Sequence, residues 1–191
     1  MRNKKFLIVY FFVIAISVSG YLYYRSDLFP AVFVNWNIVT QKTINEYYNL
    51  SMNYLSKTVP LYNSDPKALE SQTTRKEIKA AIIEKMIEDI LIYKEVKSRV
   101  GNELDTIANQ KIDNALKEKN IEDAVNTLFE TTMMDYTQKE LKPQAYKEIL
   151  QGRMTLTNED FDKWLENSKA KANILIFIPG YSWDGKNVKI K

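Results

Sequence analysis

The sequence predicts a mainly α fold: an N-terminal transmembrane helix, then a multi-helix domain closed by a small pairing of its N- and C-terminal β-strands. Three observations predict it. An uncharged run from Phe6 to Tyr24 follows a basic cap. The stretch from Arg75 to Gly101 carries apolar residues at helical spacing. Short apolar strands open and close the rest of the chain.

Residues 1–25 read as a membrane anchor. Nineteen helical residues at about 1.5 Å each run about 28 Å, close to the ~30 Å hydrocarbon thickness. Basic residues before the run and a near-neutral chain after it predict a single pass of the cytoplasmic membrane, N-terminus inside, with the bulk extracytoplasmic. A signal peptide cleaved near Ser17, Ser19 and Gly20 is the competing reading, which would leave a secreted domain. Arg2, Lys4, Lys5 and Arg25 are four of 27 basic residues and no acidic residue precedes Asp27, so 23 basic residues face 24 acidic ones thereafter. That balance gives no phosphate-binding surface, and no nucleic-acid partner is expected.

Residues 26–178 read as the helical domain. Ala31 to Trp36 is a short strand rich in β-branched and aromatic residues. Thr43 with Glu46 fits a capping box for a first helix running to Pro60, and a polar loop follows near Tyr62 to Pro66. In the next helix Ile78, Ile82, Met86 and Ile90 form one row and Ile83, Ile87 and Leu91 the row beside it. So broad an apolar face needs more than one neighbour, and Gly101 supplies the stop. Further helices are expected from Leu104 to Leu116 and around Ala124 to Phe129, with a break at Thr131–Thr132 and a kink or second start at Pro143. The last helix is expected to start from Thr157 as cap and end near Ala172. Asn173 to Ile178 is a strand, and two lone strands are stable only if they pair, so it should lie beside Ala31 to Trp36. Residues 179–191 form a tail with a turn at Asp184-Gly185 and a weak hairpin.

The order of these parts resembles the N-terminal chaperone domain of the SurA and PrsA family of extracytoplasmic foldases. Val34, Asn35, Ile38 and Thr40 keep the frame of that family's first strand, with Trp36 where a turn Gly is usual, and Met86-Ile87, Ile90-Leu91, Val96 and Gly101 imitate its long helix. The likeness covers roughly Ala31 to Gln151. Many members add a parvulin-type prolyl isomerase domain with active-site histidines; this chain has no His and ends soon after its closing strand. The resemblance therefore implies a holdase without isomerase activity, binding unfolded or nascent exported polypeptides without ATP.

With neither Cys nor His, thiol nucleophiles, imidazole bases and nearly all zinc sites are excluded. No enzyme activity, cofactor or metal is expected. Glu88 and Asp89 fit the solvent side of a helix, and Glu159, Asp160 and Asp162 complement a helix start, so neither set needs a catalytic reading. Ser168 with Lys169 or Lys171 has the residue types of a Ser-Lys dyad, but neighbours on a helix point apart. The surplus is aromatic and thioether: Tyr47, Tyr48, Met52, Tyr54, Tyr62, Met133, Met134 and Tyr136 are the candidate client-binding residues, with core filling as the plain alternative for each. The alternative function is a structural or assembly adaptor docking one specific envelope protein.

Overall fold

Two runs of β-branched residues flank the dipeptide Asn35-Trp36, and the chain turns back on itself there. In the computed structural model, which describes residues 27–62, 65–117 and 121–191 with 13, 14, 17 and 20, β1 (Pro30–Val34) and β2 (Asn37–Thr40) pair antiparallel. Asn35 has φ 47° and Trp36 φ 74°, the positive values that match a two-residue turn to strand twist. On the other side of β1, β3 (Ile174–Ile176) pairs antiparallel, giving the order β2-β1-β3. The Asn35 N–H donates to the Asn173 carbonyl at 3.0 Å and the Phe177 N–H to the Ala31 carbonyl at 2.8 Å, extending the contact at both ends.

Four of the described helices begin where a polar side chain meets a free N–H. Thr40 caps α1 (Gln41–Thr58), accepting from the Thr43 N–H, so Thr43 is inside the helix and not its cap. Ser71 caps α2 (Gln72–Val100), and Gly101 closes it with φ 74°. Next come α3 (Leu104–Leu116) and α4 (Glu122–Phe129). Thr132 caps α5 (Met133–Tyr136), which continues through a π turn (Thr137–Leu141) into α6 (Lys142–Leu156). Asp160 caps α7 (Phe161–Lys171). Thr157 instead ends α6, its backbone N–H donating back to the Met154 carbonyl.

The core sits on both sides of α2. Its first half packs Ile82, Ile83, Met86 and Ile87 against Val32 and Val34 of the sheet and Ile44 of α1. Its second half packs Ile92 and Val96 against Leu104, Leu150 and Met154, with Phe161, Trp164 and Leu165 of α7 covering that cluster. Ala108, Ile112 and Ala145 seat α3 on α6. Helix α2 is thus a spine with neighbours on several sides, and Glu88 and Asp89 are half-buried rather than on a solvent side.

The expected closure by one strand pair is corrected to two small, unclosed sheets. The hairpin turn falls on the last two residues of the first expected strand and sends the chain back as β2, making β1 the centre of a three-stranded sheet. The tail forms the second sheet, β4 (Tyr181–Trp183) with β5 (Val188–Ile190), because Asp184 Oδ1 accepts from the N–H groups of Lys186 and Asn187 and fixes the turn. The transmembrane helix is corrected too. Among the described residues no helix is long and apolar enough to cross a membrane; α2, the longest at 29 residues, carries charges in nearly every turn. Residues 6–24, apart from 13, 14, 17 and 20, lie outside the described residues. The anchored, single-pass placement and the membrane contact through residues 6–24 are therefore not supported.

Candidate functional site

Beyond Ile90 the apolar row of α2 turns mixed: Tyr93, Lys94 and Lys97 continue it at helical spacing. This stripe floors a groove of about 630 Å³ walled by Asn37, Ile38 and Val39 of β2, Thr43 and Tyr47 of α1, and Pro143 and Tyr146 of α6. Its size falls within the ~300–1,000 Å³ of ligand clefts. Three tyrosines shape it. The Tyr93 and Tyr146 rings lie 5.4 Å apart and tilted by 53°, and the Tyr146 hydroxyl donates to Asp105 Oδ1 at 2.7 Å. Burial pushes the Tyr146 phenol up in pKa and the Asp105 carboxylate adds to this; it is a neutral donor.

Tyr47 is fixed by a break in the opposite helix. Pro143 has no N–H for the carbonyl of Lys139, four residues back. The Tyr47 hydroxyl donates to that carbonyl at 3.0 Å. Burial, then Asp89, Glu140 and Glu46, raise the Tyr47 pKa, so it too stays protonated.

Behind Tyr47 the π turn carries Glu140 toward α2. Lys85 Nζ lies 2.8 Å from Asp89 and 3.7 Å from Glu140, and 5.3 Å over the Tyr47 ring. Burial raises the pKa of Asp89 and of Glu140, and Lys85 offsets only part of this in each. One ammonium thus serves two half-buried carboxyls, a rigid polar wall beside an apolar groove.

At the hairpin tip, Trp36 is 95% exposed. Across the outer face of the three-stranded sheet the register sets Ile38, Phe33 and Leu175 in one row, and Phe177 meets Phe33 edge-on with centroids 5.5 Å apart. Ile38, Leu175 and Phe177 are all exposed. The tip, this face and the groove adjoin through β2.

The candidate client-binding residues are spread over several places. Tyr47 lines the groove. Tyr48 packs against the core. Tyr54 stacks on Phe129 at 4.9 Å, and Phe129 in turn meets Tyr136 at 4.8 Å, an aromatic run joining α1, α4 and α5. Met52 and Met133 are half-buried. Tyr62 and Met134 are 78% and 72% exposed, on separate segments. Sequence reasoning passed over Trp36, Ile38, Tyr93, Lys94 and Lys97 as site residues. Following the α2 row past Ile90, and asking why a bulky residue occupies a two-residue turn, are the signals that find them.

The other polar sets are structural. Asp160 is a cap, Glu159 pairs with Arg99, and Lys169 is bound by Glu84 and Glu88.

No protein-family model, curated protein or solved structure matches this chain.

The site is therefore read from its own chemistry. Nothing in it supports chaperone activity: among the described residues Met86 is the one methionine lining the groove and it is buried, whereas surfaces that accept many clients rely on flexible, accessible Met. The holdase expectation and its unfolded exported polypeptides are corrected accordingly.

Proposed function

We propose that the protein is a non-enzymatic assembly adaptor that docks one specific protein partner on the face made by the Asn35-Trp36 tip, the outer sheet row and the tyrosine-lined groove. The observation that carries this reading is Trp36, held at φ 74° and 95% exposed. A bulky residue in the left-handed region is strained by an order of 1–3 kcal/mol, and such strain clusters where a site needs it. Here it presents a large aromatic ring to solvent, the residue type most enriched among binding hot spots. Rigid tyrosines, two with hydroxyls tied to Lys139 and Asp105, favour one shape over many.

The test is capture of partners by the full chain and by a Trp36→Gly variant. The expected result is one dominant folded partner, lost on substitution while thermal stability is kept or raised. Capture of many unrelated unfolded chains, or capture indifferent to Trp36, would sink the reading.

A further inference from the structure

Successive residues of a strand face opposite sides, yet Asn37, Ile38 and Val39 all border the groove. The wall is therefore the edge of β2 and not one of its faces. Among the described residues that edge carries no further strand. In the hairpin Val34 and Asn37 are the pair closed by the turn, so by the alternation of an antiparallel ladder Ile38 directs its N–H and C=O away from β1, toward the open side.

The floor has polarity along its length. Met86, Ile90 and Tyr93 make it mostly apolar, Asp89 also lines it but is paired with Lys85, and Lys94 and Lys97 make its end basic. Lys85, one turn before Asp89, is neutralised by Asp89 and Glu140. Among the described residues neither Lys94 nor Lys97 enters an ion pair. From residue 86 to residue 97 a helix rises about 16 Å, room for about five residues of extended chain.

Resting on the adaptor reading, we infer that the partner contributes an extended segment with an acidic end, which adds to the β2 edge, sets apolar side chains over Ile90 and Tyr93, and places an Asp or Glu carboxylate on Lys94 and Lys97. The backbone of Ile38 supplies main-chain pairing, the apolar floor supplies burial, and the two lysines fix direction and register.

The test is selection of random octapeptides with amidated C-termini on the full chain. Enriched sequences are expected to alternate apolar and polar residues and to carry Asp or Glu toward one end. Their affinity is expected to fall about threefold for Lys94→Gln or Lys97→Gln, about tenfold for both, and with added salt. The Ile38 amide is expected to gain protection from hydrogen exchange. Enrichment without acidic bias, a helical apolar spacing, or no enrichment would overturn the inference. The Trp36→Gly arm separates the two ideas. Peptides that ignore both lysines overturn the acidic segment and leave the adaptor standing, whereas capture of the folded partner untouched by Trp36→Gly removes the adaptor reading itself.

Discussion

The Tyr47 hydroxyl donates to the carbonyl of Lys139, 92 residues away, at 3.0 Å, and so occupies the place of the N–H that Pro143 lacks. The π turn that leads into α6 is thereby tied to α1, and the tie fixes one wall of the groove. Removing the donor leaves a part-buried carbonyl unsatisfied. Tyr47→Phe is expected to destabilise the fold by about 1–3 kcal/mol in urea unfolding. Adding Pro143→Ala restores an N–H to that carbonyl and is expected to recover part of the loss; a purely additive double variant would show that the two residues are not coupled.

Trp36→Gly changes the turn to Asn-Gly, which takes two positive φ values without strain. Relief of that strain is expected to stabilise the domain by about 1 kcal/mol, read as a higher urea midpoint with unchanged slope. A lower midpoint would mean that the Trp36 ring packs on the fold in solution and is not held out for a partner.

Acid acts on this protein with two signs. Asp184 is held down to about 2 by the N–H groups of Asn187 and Lys186, and Glu159 to about 2 by hydrogen bonds from Arg99 and then Thr157. Arg99 meets Glu159 as a fork, with both bonds at 2.7 Å. A carboxyl with a depressed folded pKa binds its proton more weakly when folded, so its stabilisation is present above the unfolded pKa and is lost as pH falls toward about 2. Glu159→Gln is expected to flatten the acid limb of stability against pH, measured by urea titration from pH 2 to 6.

Asp89 and Glu140 act oppositely. Burial raises both, so each binds its proton more tightly folded, and stability declines as pH rises from the unfolded value through the raised folded one. Glu140→Gln removes one of two carboxyls competing for Lys85 and is expected to flatten that decline. A variant whose stability keeps the same slope above pH 4 would rule out Glu140 as its source.

Lys169 is 7% exposed, with Nζ 2.6 Å from Glu84 and 2.7 Å from Glu88 and 5.9 Å over the Trp183 ring. Glu84 also accepts from the Val188 N–H at 3.4 Å, so this one ammonium joins α7, α2 and the second sheet. Lys169→Ala leaves two glutamates facing each other and is expected to cost about 3–5 kcal/mol. Lys169→Met with Glu84→Gln and Glu88→Gln is expected to regain most of it, because the uncompensated charges are gone; chemical denaturation of the unaltered chain and the two variants checks this.

Local signals in the sequence placed most helices and the strand segments. The α2 rows, Gly101, and the apolar runs at Ala31 and Asn173 are periodicity and turn chemistry, which act within a few residues and can be read without the fold. Helix starts shifted where two candidates compete: Thr40 and Asp160 cap in place of Thr43 and Thr157, because the residue that is extended at the junction, not merely the right type, presents its oxygen. The hairpin was legible in principle and was missed because Trp36 hides a turn normally marked by glycine.

The candidate site was far less legible. The aromatic surplus at Tyr47, Tyr54 and Tyr136 was visible, but which rings share a surface depends on contacts between elements that are distant in sequence. By itself the sequence determined the helical character, the neutral charge beyond Arg25 and the lack of imidazole and thiol chemistry, since these follow from residue type and local spacing. Only the tertiary structure decided that Glu88 and Asp89 are half-buried, that β2 keeps an open edge beside α2, and that Trp36, Tyr93, Lys94 and Lys97 adjoin one groove. The reason is physical: burial, pairing and pKa depend on what the fold brings within a few ångströms, and no local pattern records that distance.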